Sequence, residues 1–361
     1  MQSSPATKQH TYPWEKEGVG VPVVGALTTS QALRITNNHW EVCKVTQMTA
    51  PKVVYIKDEA TDEFALDAEG NKIKNEALSD NTDLFGITNP NQVMTVRVDR
   101  DRDGVITNRS YLGTVGIDYK VVQNEEFATF FDEALGRGAA CITAVGNLGR
   151  FGARIFLIAK TPDMLEVIPG DPIERHILLT TTHDGSGNIE ARFLTYRPES
   201  NSMVHAPGEV VKIRHTKNAK IHLKTAHQVL AKNEQFWERA KRAYAYMAKR
   251  DANENRVREF LEAMFPDIVE KDEEGNDVKR TSKQAQKARD EIQELFAGGA
   301  PGAGLAGKTD WGLYNSVAYF VDHERNQGTK QREWKISRWE TSVFGPGGSL
   351  RDRAYSWLTS H

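Results

Sequence analysis

Apolar positions recur every second residue through much of the first two hundred positions, then every third or fourth. In QVMTVRVDRDRDG, Met94, Val96 and Val98 alternate with Thr95, Arg97 and Asp99, which predicts a strand. Asp103-Gly104 supplies a hairpin turn, and GTVGIDYKVVQ (113–123) predicts the returning strand. Further strands are predicted at HWEVCKVT (39–46) and KVVYI (52–56). AACITAVG (139–146) and GARIFLIAK (152–160) read as a hairpin across NLGRF, and HILLTTTHDG with NIEARFLTYR (176–197) as another. NEEFATFFDEALGRG (124–138) places Phe127, Phe130, Phe131 and Leu135 on one helical face, with Asn124 as its cap and Gly136 or Gly138 as its end. LTTSQALRITN (27–37) predicts a short helix capped by Thr28, Thr29 or Ser30. The acidic stretch 58–77 reads as an exposed loop or hairpin.

Past residue 205 the spacing becomes helical. Leu223, Ala226, Leu230, Trp237, Ala240, Tyr244 and Met247 predict one long helix over 222–250 with a single buried stripe. Helices are predicted at 255–265 and 282–296 with a charged loop (266–281) between them, then a Gly/Ala linker or turn at 297–307. A terminal set follows at 310–323, 331–343 and 349–358. The pattern predicts an α+β fold: an antiparallel β-hairpin-rich core with a helix inserted, followed by a mainly helical C-terminal half. Its regions are an N-terminal arm with a small β/α part (1–90), a β-rich core (91–220) and a helical region (221–361).

A chain of 361 residues with 39% hydrophobic and 27% charged residues can bury a sizeable core. A net charge of −2 means that any surface for nucleic acid must come from local clustering. Such a cluster exists. Positions 205–250 hold eleven lysines and arginines against Glu209, Glu234 and Glu238. Lys212, Arg214, Lys217, Lys220 and Lys224 concentrate the excess in VVKIRHTKNAKIHLK. Cations in a row neutralise phosphates and release counterions. Arg150 and Arg154 flank the NLGRFGAR turn, and Tyr111, Phe151, Tyr119 and Tyr196 are candidate platforms for unpaired bases. The competing reading is a solvated helix face whose cations pair with the acidic 251–274 segment.

Four other motifs point to chemistry. GAGLAGKT (302–309) fits G-x-x-x-x-G-K-[ST], so a nucleotide-dependent enzyme is an alternative. The strand that should feed a phosphate loop is missing, because KARDEIQELF ahead of it has a helical pattern. The other reading of this stretch is a linker with Thr309 or Asp310 capping the next helix. DRDRDGVITNRS (99–110) imitates a calcium loop, but Ser110 occupies the position of the bidentate glutamate, so a hairpin tip is preferred. His205, His215, His222 and His227 lack a ligand spacing, and His183-Asp184 has no partner histidines. Cys43 and Cys141 form no metal or disulfide framework, and Cys141 in its apolar run reads as a core residue. No catalytic residue, cofactor or metal is expected, nor any membrane span or secretory leader.

Several stretches together resemble the phage/plasmid-like family that carries the domain of unknown function 932. They are PWEKEGVGV, YKVVQNEEFATFFDEAL, LGRFGARIFLIAK, HDGSGNIEARFLTYR, IRHTKNAKIHLKTAHQVL, TDWGLYNSVAYFVDH and SVFGPGGSLRDRAYSWL. TYRPESNSMVHA departs from the family's Val-Cys-Gln-Asn-Thr-like segment but keeps Arg197 and Asn201. The resemblance makes Thr309–Asn315 the recurring feature and the upstream glycines incidental. It implies a mobile-element origin and no established chemistry. The expectation is a non-enzymatic protein of the host cell cytosol that binds single-stranded DNA as a homo-oligomer and anneals strands for recombination. The further alternative is a protein-interaction factor of a mobile element.

Overall fold

Alternating side chains build the two larger antiparallel sheets of the described residues, and the spacing of three and four builds the helices around them. The computed structural model describes residues 11–16, 18–24, 28–49, 57, 64–68, 70–73, 87–135, 140–204, 210–215, 227–271, 276–325 and 339–360. The class is α+β with a helical C-terminal half, and the antiparallel sheets include a curled half-barrel. Helix α1 (Pro13–Lys16) and strand β1 (Gly20–Pro22) lead to α2 (Thr29–Ile35). Thr28 caps α2 through a capping box with Gln31. Strands β2 (Glu41–Thr49), β3 (Ile87–Arg100) and β4 (Ile106–Gly116) form a three-stranded sheet in that order. After α3 (Asn124–Leu135), β5 (Cys141–Leu148), β6 (Arg154–Glu166), β7 (Pro172–Thr182) and β8 (Ile189–Arg197) pair as consecutive neighbours. β1 extends this larger sheet beyond β5, while β9 (Ser202–Met203) and β10 (Val211–Ile213) both pair with β8.

The helical half comprises α4 (His227–Ala248), α5 (Glu254–Met264), α6 (Lys283–Glu294), α7 (Ala303–Ala306), α8 (Asp310–Tyr319) and α9 (Pro346–Ser360). A further helical stretch spans 339–344. Both faces of the larger sheet are covered, which is why residues of both parities in β6 and β7 are apolar. Ile155, Leu157, Ile177, Leu179 and Phe193 face a core shared with Phe127, Trp237, Tyr244, Trp311 and Leu358. Phe156, Ile158, Leu178 and Leu194 face a second cluster closed by Trp14, Trp339 and Val343. Each fully buried side chain of this size contributes about 1.5–3 kcal/mol.

The smaller sheet joins the larger at the HDG turn. Thr95 Oγ1 donates to the His183 carbonyl at 2.5 Å. A Cβ on Gly113 would lie 2.5 Å from the Asp184 Cα, so only glycine allows this approach.

Several expectations need correction. The returning strand of the first hairpin starts at Ile106 and ends at Gly116, so 117–123 is not strand. Asn124 does not cap α3. Its Nδ2 donates to the Asn38 and Trp40 carbonyls at 3.0 and 3.3 Å, and its Oδ1 accepts from His183 Nε2 at 2.8 Å. The charged 266–281 segment contains a hairpin, β11 (Ile268–Lys271) with β12 (Asp277–Arg280), whose side chains are all exposed. Cys141 is exposed rather than buried, because it opens β5 opposite Lys160. The predictions at 52–56, 222–226 and 331–338, with His205 and His222, lie outside the described residues.

Of the two readings of 297–307, linker or turn, the structure has a turn, followed by a short helix. The stretch forms a π-type turn (Leu295–Gly299) and α7, with Ala300 and Ala306 buried. Together with the start of α8 it clamps the helices to the sheet. Buried Asp171 accepts from Arg197 Nε at 2.6 Å and from Trp311 Nε1 at 2.8 Å, while Arg197 Nη2 donates to the Gly302 carbonyl at 2.9 Å. Thr309 Oγ1 caps α8 by accepting from Gly312 N at 3.2 Å. Among the described residues, no helix is long and apolar enough to cross a membrane.

Candidate nucleic-acid interface

Strand register decides which of the predicted cations share a face. Paired residues in antiparallel strands point to the same side, as do residues two apart. Phe156 pairs with Thr180, Thr180 with Glu190, and Glu190 with Lys212. Arg154 lies two residues from Phe156 and pairs with Thr182. Arg192 lies two residues from Glu190. Arg154, Arg192 and Lys212 therefore stand on one face of the sheet, at the rim of the cluster under Trp14 and Trp339.

Their contacts agree. The Arg154 and Arg192 guanidiniums lie 4.3 and 5.0 Å from the Phe344 ring. Glu190 Oε2 accepts from Arg192 Nη2 at 2.8 Å and Nε at 3.0 Å. Lys212 Nζ stands farther from Glu190, at 3.6 Å, and its side chain is 54% exposed. Arg214 is also exposed. Lys212 thus keeps an ammonium in solvent, while Glu190 is held mainly by Arg192. Farther along the basic segment, Lys241 pairs with Glu238 at 2.8 Å and Arg250 with Asp310 at 3.7 Å, both carboxylates outside the acidic 251–274 stretch. Lys217, Lys220 and Lys224 lie outside the described residues.

The β5–β6 turn carries the next pair. Arg150 is exposed, with its guanidinium 5.1 Å from the Phe151 ring. Phe151 is 49% exposed and has φ 54°, a left-handed conformation strained for an aromatic residue. Arg97 Nη1 donates to the Phe151 carbonyl at 3.1 Å and fixes the turn. Tyr111 is 42% exposed, but it stands on β4 opposite Val96, and its hydroxyl bonds Thr114 Oγ1 at 2.8 Å. The register therefore brings Arg150, Phe151, Arg154 and Lys212 to one end of the larger sheet and leaves Tyr111 on the smaller one.

Two further aromatic candidates point inward. Tyr119 donates to the Thr182 carbonyl at 2.8 Å and stacks on His215 at 4.7 Å. Tyr196 is fully buried and donates to Asn201 Oδ1 at 3.1 Å. Burial raises the pKa of both phenols. Arg192 and Arg97 were missed by sequence reasoning. The alternation Glu190, Arg192, Leu194, Tyr196 was the signal for the first. Arg97 is one of the alternating positions of its strand in the sequence, and nothing local shows that it reaches the Phe151 turn.

The remaining motifs resolve into structure. Lys308 Nζ donates to the Phe296 carbonyl at 2.8 Å, Thr309 Oγ1 donates to Ala306 at 2.8 Å, and helix α6 with its π-type turn precedes the glycines. In the calcium-like loop, Asp99 is forked by Arg97 Nε and Nη2 at 2.9 and 2.7 Å. Asp101 Oδ1 accepts from the Asp103 and Val105 amides at 3.0 and 2.9 Å. His183 is fully buried, and burial pushes its pKa down to about 3.

A family model described as domain of unknown function (DUF932) matches residues 111–342. No curated protein and no solved structure gives a significant match.

Proposed function

We propose that this chain, which belongs to the family defined by domain of unknown function 932, is a non-enzymatic single-stranded DNA-binding protein. The observation that carries the reading is the placement of Arg154, Arg192 and Lys212 on one sheet face, with Arg150 and exposed Phe151 at the turn that leads into it. The cations hold the phosphates by counterion release. Phe151 offers a ring to one unpaired base, and every base has a face that stacks. Such binding leaves base edges open, so a second strand can pair. Pairing itself supplies the free energy, and annealing then needs no nucleotide hydrolysis. Several protomers in a host cytosol, each holding part of a long strand, complete the proposal.

The test is the binding of a labelled oligonucleotide across a salt series. The log–log slope is expected to grow by about 0.7 for each phosphate neutralised on a single strand. Changing Arg150, Arg154, Lys212 and Arg214 together to glutamate should make it shallower by about 3. Phe151→Gly should keep the fold, since glycine takes this φ without strain, and should weaken binding about tenfold through the lost stacking. Binding that ignores both salt and these changes would overturn the proposal in favour of a protein-interaction factor.

A further inference from the structure

We infer that the strand continues from the Phe151 turn into the cleft between α2, the β3–β4 tip and the start of α3, where phosphates displace carboxylates from paired arginines. This inference rests on the DNA-binding reading above. The cleft encloses about 1120 Å³. That exceeds the ~300–1,000 Å³ of small-molecule sites and suits a length of chain better than a compact metabolite.

Its walls bring guanidiniums from separate elements: Arg34 from α2, Arg97 and Arg100 from β3, and Arg102 from the turn. Among the described residues, two of these are paired with exposed carboxylates. Arg34 meets Glu125 at 2.9 Å, with side chains 64% and 45% exposed. Arg100 meets Glu41 at 3.1 Å, with side chains 41% and 52% exposed. Solvent-exposed pairs of this kind contribute little, and a phosphodiester oxygen can take the carboxylate's place on the guanidinium fork. The cleft is thus poised for exchange of anions and carries no large fixed charge.

Continuity with the proposed interface comes from Arg97. The same guanidinium that donates to the Phe151 carbonyl forks Asp99 and lies 4.8 Å from the Trp40 ring. Trp40 lines the cleft, is 4% exposed, and its indole N–H has no acceptor among the described residues. A buried donor without a partner is costly to leave so, and an oxygen of an incoming nucleotide would satisfy it.

Two sets of variants, titrated with short and long oligothymidylates, test the inference. Arg34→Gln, Arg100→Gln and Arg102→Gln combined should flatten the salt slope for long oligonucleotides by about 2 and leave the shortest ones unchanged. Glu41→Gln with Glu125→Gln removes the competing carboxylates and should tighten long-oligonucleotide binding several-fold, a gain that mere loosening of the fold would not give. The inference is overturned if the wild type binds in a salt-dependent way but the arginine variant keeps its slope. It is likewise overturned if the glutamine pair weakens binding, or if polyglutamate fills the cleft as well as DNA does. Absence of any oligonucleotide binding by the wild type would instead remove the DNA-binding reading itself, and this inference with it.

Discussion

Asp310→Ala is expected to lower the unfolding free energy by about 3–5 kcal/mol, the usual cost of stranding one partner of a buried ion pair. Asp310 opens α8 with no exposed surface. Arg256 grips it with both arms, Nε to Oδ1 at 2.7 Å and Nη2 to Oδ2 at 2.6 Å, and Arg250 stands 3.7 Å away. The Arg256 guanidinium also lies 4.8 Å from the Trp357 ring, which holds it in place when the carboxylate is gone. Removing the acid leaves that cation without its counter-charge and takes a negative group from a helix N-terminus. Urea titration should show a lower midpoint with an unchanged slope. Thr309→Ala, which loses the cap and the hydrogen bond to the Ala306 carbonyl, should cost about 1–2 kcal/mol. Equal losses for the two variants would mean that the Asp310 pair contributes far less than its geometry implies.

The second large effect is acid sensitivity. An ordinary histidine titrates near 6.5, whereas burial holds His183 down to about 3 in the folded protein. Between those values the unfolded chain carries a proton on His183 that the folded chain refuses. Stability is therefore fully present above about pH 6.5 and falls as pH drops, by about 1.4 kcal/mol per unit for this residue alone. His176 and His215 are shifted down as well, chiefly by burial, and act in the same direction. Glu174 adds to the loss at lower pH. Despite its burial, hydrogen bonds from His176 and Lys160 hold its carboxyl at about 2, below the usual 4.5, so its contribution disappears as pH falls through that window. Denaturation at pH 7, 6 and 5 should trace the slope, and His183→Gln should flatten it. An unchanged slope in that variant would remove His183 as the cause.

The β-hairpins, the central helix and the helical C-terminal half were legible because each turns on a local signal: alternation, a turn dipeptide or a repeated apolar face. Even Thr28 could be named among the possible caps of α2 from its neighbours. What escaped depends on residues distant in sequence. Asn124 looks like a cap until Asn38, Trp40 and His183 arrive from other elements to claim its amide. The Gly/Ala stretch looks like a linker until Arg197, itself held by Asp171, locks onto Gly302. Of the candidate interface, the types of residue were readable and their juxtaposition was not. Local spacing separates Arg154 from Lys212 by dozens of positions, whereas three strand pairings set them on one surface.

Trp14 and Trp339 meet with ring centroids 5.7 Å apart, and both belong to the cluster that seals the outer side of the larger sheet. The two indoles come from positions far apart in the sequence, so their contact carries the entropy cost of a wide loop closure. Loss of either indole should therefore loosen this face of the sheet while leaving the opposite core in place, and the exposed cations at its rim would lose the floor that aligns them.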